Sequence, residues 1–370
     1  MRATPLPPRV LLPRAQWVEL GVSARRLRGP ELQSPLTGFH TPAADPASLD
    51  RILAVLQREI LPDAVASHST AALLRGIPMP WWLDGGVCRL GEPDATGRLP
   101  APVPSRLPEA ESPSPPPPIH CRVPGDSRRQ AGEFVTVHRM PPARTITVRG
   151  LRVSHPVVCL VELASVLPHN DLVIALDHLL GPRSRYRGLD VARIEERLDE
   201  CRGAHGIPAV RAALRDARPG VESPGETRAR LLVMRAGFPE PVPNLPVLDP
   251  DNGAMRRLDL AWEGALIGAE YDGDYHRRGH DKDRRGISQW RADHARRESL
   301  VSLGWTLPFL NADDIAAPGR FLSTLRRAFV SRGLDAPPES RWSGRPGREL
   351  GRTSRPPTDP PGAGRMRYGA

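Results

Sequence analysis

The sharpest hydrophobic pattern in the chain is a pair of short alternating runs around a glycine-containing break. The first is Arg257-Leu258-Asp259-Leu260-Ala261-Trp262 and the second Leu266-Ile267-Gly268-Ala269-Glu270-Tyr271, with Glu263-Gly264-Ala265 between them. A period of two is that of a strand, so the two runs predict a β-hairpin. With Gly264 and Ala265 as the turn residues, Asp259 falls directly opposite Glu270. Leu258, Leu260, Trp262, Ile267, Ala269 and Tyr271 then share a core face. Asp259, Glu270 and Asp272 share the other face with the small Ala261 and Gly268, which is expected to be acidic and open.

Elsewhere the spacing is helical. Ser223-Pro224-Gly225-Glu226 opens a helix through Leu231, Leu232 and Met234 that Gly237 closes, with Ser223 and Glu226 placed as a capping box. Arg291 to Leu303 reads as a basic helix and Trp305 to Leu310 as a strand. Near the start, a short helix from Arg14 to Glu19, a turn at Leu20, Gly21 and Val22, and a second helix capped by Ser23 and carrying Arg25, Arg26 and Arg28 outline a helix-turn-helix. Ile52, Leu53, Val55, Leu56 and Ile60 line one helical face. Ser67 to Gly76 reads as a capped short helix, in whose first turn His68 is expected to be structural. Strands are expected at Ile119 to Val123, Phe134 to Arg139 and Thr145 to Val148, and helices at Pro156 to Leu167 and Leu172 to Leu180.

These elements predict an α+β multidomain chain. Residues 1–45 form a helix-turn-helix-like module, 46–96 a helical segment, 97–118 a Pro-rich linker, 119–215 a mixed α/β middle domain, 222–332 a further block of helices and strands, and 333–370 a disordered tail. The 44 Pro and 33 Gly of the 370 residues agree with folded blocks separated by loose segments. Net charge is +10, carried almost wholly by arginine with Lys282 as the single lysine, and favours a polyanionic partner through counterion release. Cys88, Cys121, Cys159 and Cys201 show no zinc-ligand spacing. Without a signal-like start or a long apolar stretch, a cytoplasmic protein with no membrane partner is expected.

Chemistry is concentrated at the hairpin. Directly opposed residues have Cβ atoms about 5 Å apart, and like charges there repel by roughly 3 kcal/mol at an effective dielectric near 20. A divalent cation held by Asp259, Glu270 and Asp272 would relieve this, and hard oxygen ligands point to Mg²⁺ or Mn²⁺. Arg296 and Arg297 downstream are suited to phosphate contact.

Glu226, Asp259, Glu270-Tyr271-Asp272-Gly273, His276, Asp293, Arg296, Leu300, Gly304 and Trp305 together give the block from Glu222 to Ile315 its resemblance to the very-short-patch-repair-like endonuclease branch of the PD-(D/E)XK superfamily. The resemblance implies a mixed sheet flanked by helices and metal-dependent cleavage of double-stranded DNA in defence or repair, with Glu226, Asp259, Glu270, Asp272 and His276 as catalytic residues. Asp272 stands where the superfamily usually has lysine, so the resemblance shifts that supporting role to His276. The N-terminal half, with Ser67-His68 to Gly76, is similar to AbiEi-type antitoxin and abortive-infection proteins. That similarity implies a DNA-binding regulator with a degraded nuclease site as the alternative, and is compatible with a toxin partner and a homodimer.

Overall fold

A computed structural model describes residues 5–80, 119–125, 131–132, 134–182, 184–186, 188–273 and 285–347, with the backbone alone at 285–293. The Pro-rich segment 97–118, His276 and Lys282 lie outside the described residues. The chain divides into two compact units, Met1–Pro219 and Gly220–Ala370. Both mix helices and sheets, and among the described residues no helix is long and apolar enough to cross a membrane.

The first unit opens with β1 (Leu12–Pro13), α1 (Arg14–Glu19), α2 (Ala24–Leu27), β2 (Leu32–Leu36) and β3 (Phe39–Pro42). The strands pair antiparallel in the order β1-β3-β2, and Trp17, Val22, Leu27 and Leu32 pack together in a small core. Ser23 caps α2 as its position suggests, accepting from the Arg26 N–H. Yet α2 is one turn of 4 residues and the chain then enters the sheet, which the helical outline did not anticipate. One turn advances about 6 Å, too little for a helix laid along a major groove.

There follow α3 (Leu49–Val55), a π turn at Leu56–Ile60, β4 (Val65–Ala66), α4 (His68–Arg75), β5 (Ile119–Val123), β6 (Val135–Arg139), β7 (Thr145–Val148) and β8 (Leu151–Ser154). Then come α5 (Pro156–Leu163), α6 (His169–Leu180), α7 (Val191–Glu200) and α8 (Ile207–Asp216). The mixed sheet runs β6-β5-β4-β8-β7. Residues 65–66 therefore lie in the same sheet as 119–123 and 151–154, joining segments that composition separates. Helix α5 is buried along its whole length because seven of its 8 residues are apolar or proline, and Glu162 is the exception.

The second unit comprises α9 (Pro224–Ala236), β9 (Val242–Leu248), β10 (Met255–Trp262), β11 (Ile267–Tyr271), α10 (Arg285–Ser302), β12 (Phe309–Leu310), α11 (Ala312–Ala316) and α12 (Gly319–Ser331). Its sheet runs β12-β11-β10-β9, antiparallel except for the parallel β11–β12 pair. One face packs Leu260, Trp262, Ile267 and Ala269 against Leu232 and Val233 of α9 and Phe321, Leu325 and Phe329 of α12. The other packs Leu258 and Ala261 against Leu300 of α10, Trp305 and Leu307. The sheet is thus flanked by helices on both faces.

Three expectations are corrected here. The hairpin turn is a 3-10 turn at Glu263–Ala265 followed by Leu266 at φ +50°, not a two-residue turn. The face opposite the main core is closed at Gly268, where an added Cβ would lie 3.0 Å from the Leu258 and Leu307 side chains, and Leu258 belongs to that face. Residues 333–347, expected to belong to a loose tail, include a segment packed on the core. Trp342 is 1% exposed and stacks on Phe238 with ring centroids 5.8 Å apart, so one large apolar residue anchors a segment that composition alone marks as loose.

Candidate functional site

The hairpin holds the register that alternation implies: Leu260 faces Ala269, Ala261 faces Gly268 and Trp262 faces Ile267. One step further Asp259 faces Glu270, but the ladder ends before them. The Asp259 carboxylate accepts the Tyr271 backbone N–H at 2.8 Å, taking a donor that would otherwise meet backbone across the pair. At this point β10 changes faces opposite Asn244 of β9, whose backbone is left-handed at φ +51°, and Leu258 goes to the second core with Leu245.

Asp259 is mostly buried, and desolvation pushes its carboxyl up to about 6. The Tyr271 N–H and Arg296 pull it down, while Glu226 and Glu222 push it up. Glu226 sits in the first turn of α9, 8% exposed, and its Oε2 accepts from the Glu222 N–H at 2.9 Å and from Asn244 Nδ2 at 2.6 Å. The Ser223 hydroxyl takes the Glu226 N–H at 3.2 Å, as a cap should, but Glu226 reaches back to Glu222 and not to Ser223. Gly225 allows this turn to lie against Tyr271, since a Cβ at 225 would fall inside that ring.

Glu270 Oε1 accepts from Arg296 Nη2 at 2.6 Å, and Arg296 also donates to the Arg257 carbonyl. The opposed carboxylates are therefore tolerated without a dication, because Arg296 neutralises Glu270 and burial with the Tyr271 N–H holds Asp259. That corrects the expectation that only a bound cation makes the pair acceptable. Asp272 follows β11, anchored by its N–H to the Leu310 carbonyl at 2.8 Å. Arg297 lies over the Phe309 ring at 4.4 Å. A pocket of about 260 Å³ opens beside Asp259, with Glu222, Asn244, Arg256, Arg257 and Arg296 around it. Arg257 pairs with Glu222.

In the first unit, Arg26 pairs with Glu31 at 2.7 Å and Arg28 Nε donates to the Ala24 carbonyl at 3.3 Å, while Arg25 is exposed. The sequence reading missed a different cluster. Among the described residues, the one group of three metal-ligating side chains with mutually close ligand atoms is His68, His120 and His138, while Asp259, Glu270 and Asp272 do not form such a group. The available signal was His120 and His138 on alternating strands, but nothing in linear spacing joins them to His68.

No family model matches the chain. Two uncharacterized proteins of Mycobacterium tuberculosis, one from strain CDC 1551 / Oshkosh and one from strain ATCC 25618 / H37Rv, are each 32% identical to it over 213 residues, spanning 56% of this chain and 73% of the relative. At that identity and coverage the chain belongs to one family with these mycobacterial proteins.

Proposed function

We propose that the second unit is a divalent-metal-dependent endonuclease of the PD-(D/E)XK type acting on double-stranded DNA. The observation that carries this reading is the approach of Glu226, which is buried, and Glu222 to the half-buried Asp259, beside a pocket edged by Arg256, Arg257 and Arg296. An acidic floor with an arginine rim suits a phosphodiester: the acids bind a hard cation and the arginines take phosphate oxygens.

The three carboxylates have the right donor chemistry but do not converge on one point as they stand, so a cation would draw Asp259 and Glu270 together as Arg296 leaves Glu270. Asp259 and Glu270 offer hard oxygen donors from adjacent strands, with Asp272 as a third carboxylate, and the desolvated Asp259 is the group whose ionised form a dication favours. Mg²⁺ or Mn²⁺, when bound, supplies polarisation of a phosphoryl oxygen and acidification of a water. Glu226, fixed by Asn244 and the Glu222 N–H, is placed to hold and orient a water. Arg296 exchanges its bond to Glu270 for one to phosphate. His276 keeps the role of base or phosphate ligand.

The Arg296–Glu270 pair favours one further reading, a DNA-binding regulator in which the nuclease fold serves as a platform. Incubating the full chain with supercoiled plasmid in Mg²⁺, Mn²⁺ or EDTA separates the two. Metal-dependent nicking lost in Asp259→Ala and Glu270→Ala supports the nuclease. Salt-sensitive binding without cleavage in either metal overturns it in favour of the regulator.

A further inference from the structure

We propose that His68, His120 and His138 of the first unit form a three-histidine site for a divalent transition metal of the zinc class, with a coordination position left open. This site is independent of the carboxylate site in the second unit. It is built from residues that three separate elements bring together.

The sheet supplies two ligands. β5 and β6 pair in parallel, with His120 opposite Thr136 and Arg122 opposite His138. His120 and His138 are therefore diagonal neighbours on one face, and His120 Nδ1 lies 2.7 Å from His138 Nε2. The third ligand comes from the first residue of α4, which follows the central strand β4. The His68 ring stacks on His138 with centroids 3.8 Å apart and an interplanar angle of 18°. One ligand atom from each ring lies within 4.8 Å of the others.

His68 is held at some conformational expense. Its φ is +49°, a left-handed conformation that a non-glycine residue adopts only where its surroundings hold it. The surrounding structure fixes it there. The His68 N–H donates to Glu162 Oε2 at 3.0 Å, its carbonyl accepts from Cys159 Sγ at 3.2 Å, and its Nδ1 meets the Ser67 hydroxyl at 3.0 Å. Ser67 stands at the cap position of α4 but makes no cap bond with its side chain, and its hydroxyl goes to the imidazole instead. A polar partner on the second ring nitrogen is what orients a metal-binding histidine. Glu162 Oε1 also accepts from the Ser154 hydroxyl at 2.9 Å and faces Arg122 at 3.7 Å, so the nearby guanidinium is countered.

The three imidazoles are partly buried, with one ligand nitrogen from each turned toward the others. Ligands around a tetrahedral ion at a Zn–N distance of about 2.0–2.1 Å lie roughly 3.4 Å from one another. Loading therefore opens the His120–His138 contact slightly, and the proton the two rings share moves to the opposite nitrogen of its own ring. Neutral imidazole selects zinc, copper, nickel or cobalt over magnesium. Three histidines without a fourth protein ligand leave a position for water or substrate.

The test uses the full chain stripped with a chelator and titrated with Zn²⁺, followed by Co²⁺ substitution. The expected result is one tight equivalent that Asp259→Ala retains, a Co²⁺ visible spectrum of low-coordinate nitrogen type, and a higher Tm on loading. His120→Ala and His138→Ala should each weaken that equivalent by about 100-fold or more, because even outer-shell changes at metal sites cost 10–100-fold. Circular dichroism checks that each variant folds, and His138→Gln replaces any that does not. Wild-type protein taking up no zinc at micromolar concentration, or uptake unchanged in the folded histidine variants, would overturn the site.

Discussion

The Asp259 carboxylate accepts the Tyr271 N–H at 2.8 Å, so the acid at the centre of the proposed chemistry also closes the end of the β10–β11 pair. One side chain thereby carries a structural and a chemical role, and the two can be separated by substitution.

Asp259→Ala should cost about 1–3 kcal/mol, because it leaves a half-buried N–H without its acceptor. Asp259→Asn keeps an oxygen for that N–H and should cost less than about 1 kcal/mol, yet abolish metal-dependent nicking. Urea unfolding and plasmid cleavage on the same preparations read both effects. An asparagine variant that nicks DNA like wild type would remove Asp259 from the chemistry.

The hairpin was legible because alternation fixes register: Leu260, Ala261 and Trp262 meet the partners their spacing dictates. Leu258 was not, since a period-two pattern assumes uniformly extended strands and cannot register the left-handed Asn244, at φ +51°, opposite Asp259. Arg296 as the counter-charge of Glu270 was equally hidden, because 26 residues separate them and only the return of α10 over the sheet joins them. The same limit hid the histidine cluster. Sheet order β6-β5-β4 places strands side by side that are far apart in the chain, and no local pattern encodes that order.

Trp342 supplies a prediction opposite to that of a loose tail. Its ring fills the core beside Phe238, and Trp342→Ala should destabilise the second unit by about 3–5 kcal/mol through lost burial and the remaining cavity. Chemical denaturation of the full chain measures it. A shift within about 0.5 kcal/mol, the usual range for surface changes, would return the segment to the tail.

Stability of the first unit should fall on mild acidification. Burial holds His68 at about 3 and His120 and His155 at about 4, below the ordinary 6.5, so the unfolded chain takes up protons first. Their contribution is intact above pH 6.5 and is lost as pH falls from there through the folded values. Glu162 acts in the other sense. Burial raises it from 4.5 to about 7, so its contribution is present below 4.5 and lost as pH rises through 7. Three histidines outweigh one carboxyl, so a melt with chelator at about pH 5 should give a lower Tm than one at about pH 7. An equal or higher Tm at the lower pH would contradict the burial of these imidazoles.

Arg296 distinguishes the two readings of the second unit. Its bond to Glu270 is only partly shielded, with the side chains 33% and 15% exposed, so solvent screening keeps the stability cost of Arg296→Ala near 1 kcal/mol or below. If Asp259 and Glu270 bind a dication, Arg296 competes with it for Glu270, and the alanine variant should bind Mn²⁺ more tightly while nicking DNA more slowly, having lost a phosphate contact. If the unit is a binding platform, Mn²⁺ affinity stays unchanged, DNA affinity drops similarly on all sequences, and the slope of log K against log salt shrinks by about one. Mn²⁺ titration followed by calorimetry, beside DNA binding across a salt series, reads both. Tighter Mn²⁺ binding in Arg296→Ala that vanishes in Glu270→Ala would place the cation at Glu270 itself, since the gain depends on the carboxylate that the arginine releases.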